Sequence, residues 1–231
     1  MKTIRVVSVI GTRPEAVKMA PLFMELRSRK EIELKLVVTG QHKEMLNQVL
    51  ESFEIEVDVN LHIMKHKQSL TSITVDSIAG LEPVLRELNP HIVLVHGDTT
   101  TTLAASLAAF YQQIQIGHVE AGLRTGEKFQ PYPEEMNRKL TGALADWHYA
   151  PTFKAKENLL KEKVDENTII LTGNTAIDAL EYTIKPHYTH PLLSVIGGNR
   201  FLVLTTHRRE NVGAGMREVF FCSEKVIDVV S

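Results

Sequence analysis

Ile92-Val93-Leu94-Val95 running into His96-Gly97-Asp98-Thr99 is an apolar run that stops abruptly in a polar cluster. Its four leading residues are all aliphatic, with no polar alternation. Such a run reads as a strand buried on both faces, the mark of a parallel sheet covered by helices. The same design recurs on either side. Val6 to Ile10 runs into Gly11-Thr12-Arg13-Pro14-Glu15, and Leu34 to Val38 into Thr39-Gly40-Gln41-His42. Ile114 to Val119 ends at Glu120-Ala121-Gly122, Ile169 to Leu171 at Thr172-Gly173-Asn174-Thr175, and Phe201 to Leu204 at Thr205-Thr206-His207-Arg208-Arg209-Glu210. Most clusters are followed by a helix-like stretch. Strands are expected near 4–10, 34–39, 91–96, 114–119, 147–150 and 168–172, with helices near 14–29, 42–53, 69–88, 99–112, 133–146, 152–162 and 175–184. One helix per crossover predicts a right-handed, doubly wound parallel α/β sheet. All strands of such a sheet point one way, so the polar clusters converge on its carboxyl edge, where these folds bind ligands. Pro14 and Pro133 suit first helical turns, Asn89-Pro90 stops a helix before its strand, and Pro21 is expected to kink or restart the first helix.

The chain has 231 residues, 43% hydrophobic and 23% charged, with a net charge of −2. That is an ordinary globular composition with no electrostatic case for nucleic acid or an anionic membrane. No apolar run approaches the roughly 18–20 residues of a membrane span, and the first one is too short for a signal peptide's core. A single cysteine excludes an internal disulfide. Taken together these features predict a soluble protein of the cytoplasm. The domain plan read from the chain is a first domain over 1–184, a linker over 185–200 rich in Pro and Gly, and over 201–231 only the first βα unit of a second domain.

Several strand-end residues are candidates for chemistry. Gly11 allows close backbone approach and the following helix N-terminus favours an anion, while Arg13 supplies a cation there and Lys18 another about one helical turn further on. The segment lacks the glycine fingerprint of dinucleotide sites and the phosphate loop of many NTPases. Asp98 reads either as a helix cap or as a carboxylate at the sheet edge. Glu120 follows a wholly apolar strand, where a carboxylate is desolvated and suited to acid–base work. Glu134 and Arg138 lie four apart at the start of a helix, hence on one face. His207, amid Arg208 and Arg209, stands where an imidazole can move protons near neutral pH. No histidine spacing suggests a metal site, so no metal is expected.

In combination these motifs resemble the non-hydrolysing bacterial UDP-N-acetylglucosamine 2-epimerases. The resemblance rests on Gly11 to Ala16, Thr39 to His42, Val95 to Thr102, Gly117 to Arg124, Pro133-Glu134-Glu135, Asn137-Arg138, Thr172 to Thr175 and His207 to Glu210, collinear from about residue 3 to 218. It implies two Rossmann-like domains arranged as in GT-B glycosyltransferases, and interconversion of UDP-GlcNAc and UDP-ManNAc for cell-surface polysaccharide without a cofactor. It further implies Asp98, Glu120, Glu134 and His207 as catalytic residues, with Arg13, Lys18 and Arg138 binding substrate. Gln41 and Arg208 match positions that bind a second, activating UDP-GlcNAc, and a homodimer through the first domain is expected. The match frays after about Glu218. The chain is therefore expected to be C-terminally truncated, just inside the second domain. The alternative is an inactive remnant that binds nucleotide sugar weakly or dimerises.

Overall fold

The computed structural model describes residues 3–40, 43–63, 65, 68–184, 187–198, 201, 203–204, 213 and 215–222. Two units divide the chain at Ile184–Lys185. The first is a sheet of seven parallel strands in the order β3-β2-β1-β4-β5-β6-β7. Its strands are β1 (Ile4–Ile10), β2 (Ile32–Val38), β3 (Val59–Asn60), β4 (Ile92–His96), β5 (Gln115–Val119), β6 (Trp147–Ala150) and β7 (Ile169–Leu171). Between them run α1 (Arg13–Ser28), α2 (Lys43–Ser52), α3 (Leu70–Leu88), α4 (Thr100–Tyr111), α5 (Glu134–Leu144) and α6 (Phe153–Lys161), and α7 (Thr175–Thr183) follows β7.

Both faces of the central strands are buried, as their unbroken aliphatic runs require. Val6 and Ile10 pack with Ala16, Met19 and Phe23 of α1 and Leu46 and Leu50 of α2. Val7 and Val9, on the opposite face, join Leu81 and Leu85 of α3 and Ala105, Ala108 and Ala109 of α4. The small residues of α4 let it lie close against the sheet. The strand order reverses at β1, which has β2 on one side and β4 on the other. The turns leaving β1 and β4 therefore flank the crevice where an open α/β sheet presents a ligand site.

Some expectations need revision. β3 was not foreseen. Its two residues extend the sheet through Leu61 N–H, which donates to the Val38 carbonyl at 2.9 Å. Pro21 does not restart α1, which continues through it as one helix. Pro133 is the residue before α5 rather than part of its first turn. Asn89 closes α3 in the left-handed region at φ 42°, its N–H on the Leu85 carbonyl at 2.9 Å, as an Asn-Pro stop should.

In the second unit, α8 (Pro191–Ile196) stands inside the stretch expected to be linker, closed by Gly197 at φ 63°. Phe201, Val203 and Leu204 are exposed and lie in no strand, contrary to expectation. An isolated strand has no ladder to satisfy its backbone. Residues 215–222 are helical.

Candidate functional site at the carboxyl edge

Three turns at the centre of the sheet, after β1, β4 and β5, meet α5 to form one polar cluster. The β1 turn is organised by Glu15, whose side chain is fully buried. Gly11 N–H at 3.1 Å, Thr12 N–H at 2.7 Å and Thr12 Oγ1 at 2.7 Å all donate to its Oε2. Its Oε1 accepts from Thr99 Oγ1 at 2.9 Å, on the β4 turn, and lies 3.2 Å from Thr102 Oγ1. Burial pushes the Glu15 carboxyl above its ordinary pKa, against the pull of the Thr12, Gly11 and Thr99 donors. One carboxylate thus ties together two loops 84 residues apart in sequence. It also takes the backbone N–H groups of Gly11 and Thr12, which the sequence had offered to an anion. Arg13, exposed at the head of α1, remains the cationic donor of this turn. Glu15→Gln is expected to lower stability by about 2–3 kcal/mol, since an amide cannot accept from donors on both sides. Urea denaturation measures this, and an unchanged midpoint would show that the clamp contributes nothing.

At the end of β4, Asp98 is not a cap. Thr99 caps α4 instead, accepting from Thr102 N–H at 3.0 Å. Asp98 is bound by Arg138 of α5, and its backbone carbonyl accepts from Asn137 Nδ2 at 2.9 Å. Burial raises the Asp98 carboxyl, while Arg138 and, less strongly, Lys18 oppose the rise and Glu120 adds to it. Those couplings place the two carboxylates in one electrostatic site.

Glu120 follows β5 with φ 63°, a left-handed conformation uncommon for a non-glycine residue. Lys18 Nζ grips both its oxygens, at 2.6 and 2.8 Å. His96 Nε2 lies 3.8 Å from Glu120 Oε2. Desolvation and the Lys18 charge depress the His96 imidazole to about 3, so it is neutral in the folded protein. Lys18 is therefore a partner of a site carboxylate here.

The i to i+4 geometry suggested that Glu134 pairs with Arg138. The structure instead gives Arg138 to Asp98 and, at 3.5 Å, to Glu135. Glu134 Oε2 is buried with no hydrogen-bond partner among the described residues. Glu135 was overlooked. It is fully buried, and accepts from Thr125 N–H at 3.1 Å and Gly126 N–H at 3.2 Å. Burial pushes its pKa up, but those backbone donors and Arg138 outweigh it and hold the carboxyl below its ordinary value. It anchors both Arg138 and the loop between β5 and α5. His207, Arg208 and Gln41 lie outside the described residues.

Comparison with known proteins agrees with this geometry. Residues 24–228 match the UDP-N-acetylglucosamine 2-epimerase family. The chain is 53% identical to UDP-N-acetylglucosamine 2-epimerase of Bacillus subtilis over 227 residues, 98% of this chain and 60% of that protein. A crystal structure of a putative UDP-N-acetylglucosamine 2-epimerase from Listeria monocytogenes superposes with a TM-score of 0.92 at 53% identity, covering 99% of this chain and 61% of that one. The Neisseria meningitidis enzyme, solved bound to UDP-GlcNAc, gives 0.76 at 51% identity over 84% of this chain and 51% of that one. The chain spans about 60% of the length of the curated relatives it matches. With the sheet, its central strand-end carboxylates and a match over most of its residues in agreement, the chain belongs to the UDP-N-acetylglucosamine 2-epimerase family.

Proposed function

We propose that this chain carries the first-domain half of the site that interconverts UDP-GlcNAc and UDP-ManNAc. A carboxylate removes the C2 proton of the sugar. The C2–H electron pair becomes the C1=C2 bond of a 2-acetamidoglucal, and the C1–O pair leaves with UDP. Reversal, with the proton delivered to the opposite face, gives the epimer. The C2 proton is weakly acidic and UDP departs as an anion, so the reaction needs a sheltered carboxylate base and cations for the phosphates.

The observation that carries the reading is the pairing of two strand-end carboxylates with separate cations, Asp98 with Arg138 and Glu120 with Lys18. Glu134, with a buried oxygen that has no hydrogen-bond partner among the described residues, is the third carboxylate. Arg13 serves the diphosphate. His207 acts beside it, and Gln41 with Arg208 holds an activating second UDP-GlcNAc, as the family resemblance implies. A cytoplasmic homodimer joined through the first unit belongs to the same reading. Exposed Phe110 and Tyr111, lining a cleft of about 520 Å³ at the amino edge of the sheet, support that contact. No helix among the described residues is long and apolar enough to cross a membrane.

Incubation of the chain with UDP-GlcNAc in D2O tests the proposal. Deuterium is expected at C2 of the recovered sugar, and Asp98→Asn or Glu120→Gln should slow its incorporation by about 10²–10⁴-fold. Binding of UDP-GlcNAc without exchange would reduce the chain to a nucleotide-sugar binder.

A further inference from the structure

We propose that His96 is a positioning residue for Glu120, its imidazole Nε2 taking over the carboxylate when Lys18 turns away toward an anion in the site. The catalytic use of this exchange rests on the function proposed above; the exchange itself does not.

The two partners of Glu120 are built differently. Lys18 reaches it on a flexible stem and its side chain is 29% exposed, so the ammonium is free to turn. His96 is held. Its side chain is 4% exposed, its strand is hydrogen-bonded on both sides, and its carbonyl accepts from Thr102 Oγ1 at 2.6 Å. Thr102 is itself tied to Glu15, so the backbone beneath the imidazole is fixed from below. His96 Nε2 has no hydrogen-bond partner among the described residues, though it lies only 3.8 Å from Glu120 Oε2. A buried ring nitrogen without a partner costs stability unless another state of the site satisfies it.

The chemistry supplies that state. A carboxylate chelated by an ammonium through both oxygens is a poor proton acceptor, and the departing diphosphate is the strongest anion the site will meet. Once Lys18 is drawn to it, Glu120 would be a buried charge without a counterion, an expensive arrangement. The neutral imidazole, with its proton on Nε2, needs a displacement of less than about 1 Å to donate a normal hydrogen bond. Glu120 then keeps its place, with both oxygens no longer covered by the ammonium, at the moment a base is required. The other titratable groups around His96 are His118 on β5, the Glu15 carboxylate behind Thr102, and Asp98, which is engaged by Arg138.

Imidazole NMR of the full chain labelled with ¹⁵N-histidine tests this without nucleotide sugar, so its outcome is independent of any epimerase activity. His96→Gln assigns the resonance. Lys18→Met, with Lys18→Gln as a second variant should the first fold poorly, imposes the exchanged state. The expected result is a slowly exchanging, low-field Nε2–H signal for His96 and a titration midpoint that rises from about 3 by at least about tenfold in proton affinity. Loss of the Lys18 charge alone also favours imidazolium, so the decisive arm is Lys18→Met with Glu120→Leu, which leaves the imidazole no acceptor and in which the low-field signal must vanish. A His96 spectrum unchanged by Lys18→Met, or a low-field signal that survives Lys18→Met with Glu120→Leu, overturns the proposal.

Discussion

Replacing Gly122 with alanine is expected to destabilise the first unit by about 3–5 kcal/mol, more than any other one-methyl change at this edge. Gly122 has φ +87°, and a Cβ there would run into the Ala155 carbonyl, coming within 2.8 Å of its carbon and 3.0 Å of Leu159 Cγ. The obstacle is helix backbone. Ala155 lies in the first turn of α6, pinned by its N–H on Thr152 Oγ1 at 3.1 Å, so it cannot yield as the end of a side chain would. Asn158 Nδ2 also donates to the Gly122 carbonyl at 3.0 Å, which fixes the turn from the other side. Gly126 provides the control. Its φ is +85°, yet nothing lies within 4 Å of the added Cβ. Gly126→Ala should therefore lose only about 1 kcal/mol, from backbone strain alone. Urea denaturation of the two variants separates the terms, and the thermal midpoint of Gly122→Ala should fall by roughly 10 °C. Equal losses would mean that the close approach of β5 and α6 contributes nothing. The position matters for chemistry because Gly122 closes the turn that holds Glu120 in its left-handed conformation.

The strands were legible because each long one is buried on both faces, and an aliphatic run ending in a polar cluster suits little else in a globular chain. β3 was not, because a two-residue strand set in Glu56-Val57-Asp58-Val59-Asn60 offers no apolar run. At the site, the sequence exposed Asp98, Glu120, Lys18 and Arg138 as candidates but misread how they pair. Spacing four apart on a helix says that Glu134 and Arg138 are neighbours. It does not say that a strand end 40 residues away competes for the guanidinium, and Asp98 wins. Glu15 carried a usable signal, since Thr12-x-x-Glu15 has the form of a capping box. Glu135 carried none that separates it from Glu134, because which of two adjacent acids is buried depends on the rotation of α5 against the loop above it. Burial, more than residue type, is the quantity that one chain leaves unwritten.

Acid should unfold this domain early, and the cause lies beneath the site. His118 is almost wholly buried, and its Nε2–H donates to the Gly97 carbonyl at 2.7 Å, which leaves Nδ1 with no hydrogen-bond partner among the described residues. Burial depresses its pKa to about 3, as it does for His96. Unfolded, each would titrate near 6.5. A base whose pKa is lowered by folding contributes full stability above its unfolded value and loses it as pH falls toward the folded one, so the window runs from about 6.5 down to about 3. The slope approaches about 1.4 kcal/mol per pH unit for each histidine well below 6.5, and between pH 6.5 and 5 the pair removes roughly 3 kcal/mol. His148, also lowered by burial, acts in the same direction. Glu15 and Asp98, whose carboxyls are raised by burial, act in the opposite one, since the folded state then takes up a proton before the unfolded chain does. A comparison cancels those contributions. In His118→Gln the amide still donates to the Gly97 carbonyl but takes up no proton. Its stability, followed by urea denaturation from pH 6.5 to 5, should decline about 1 kcal/mol per unit less steeply than that of the parent chain. Parallel curves would show that His118 does not stay neutral in the folded core. The loss would then fall to His96 and His148, because Glu135, held below its ordinary pKa by the Thr125 and Gly126 N–H groups, loses its contribution only below the ordinary carboxylate range.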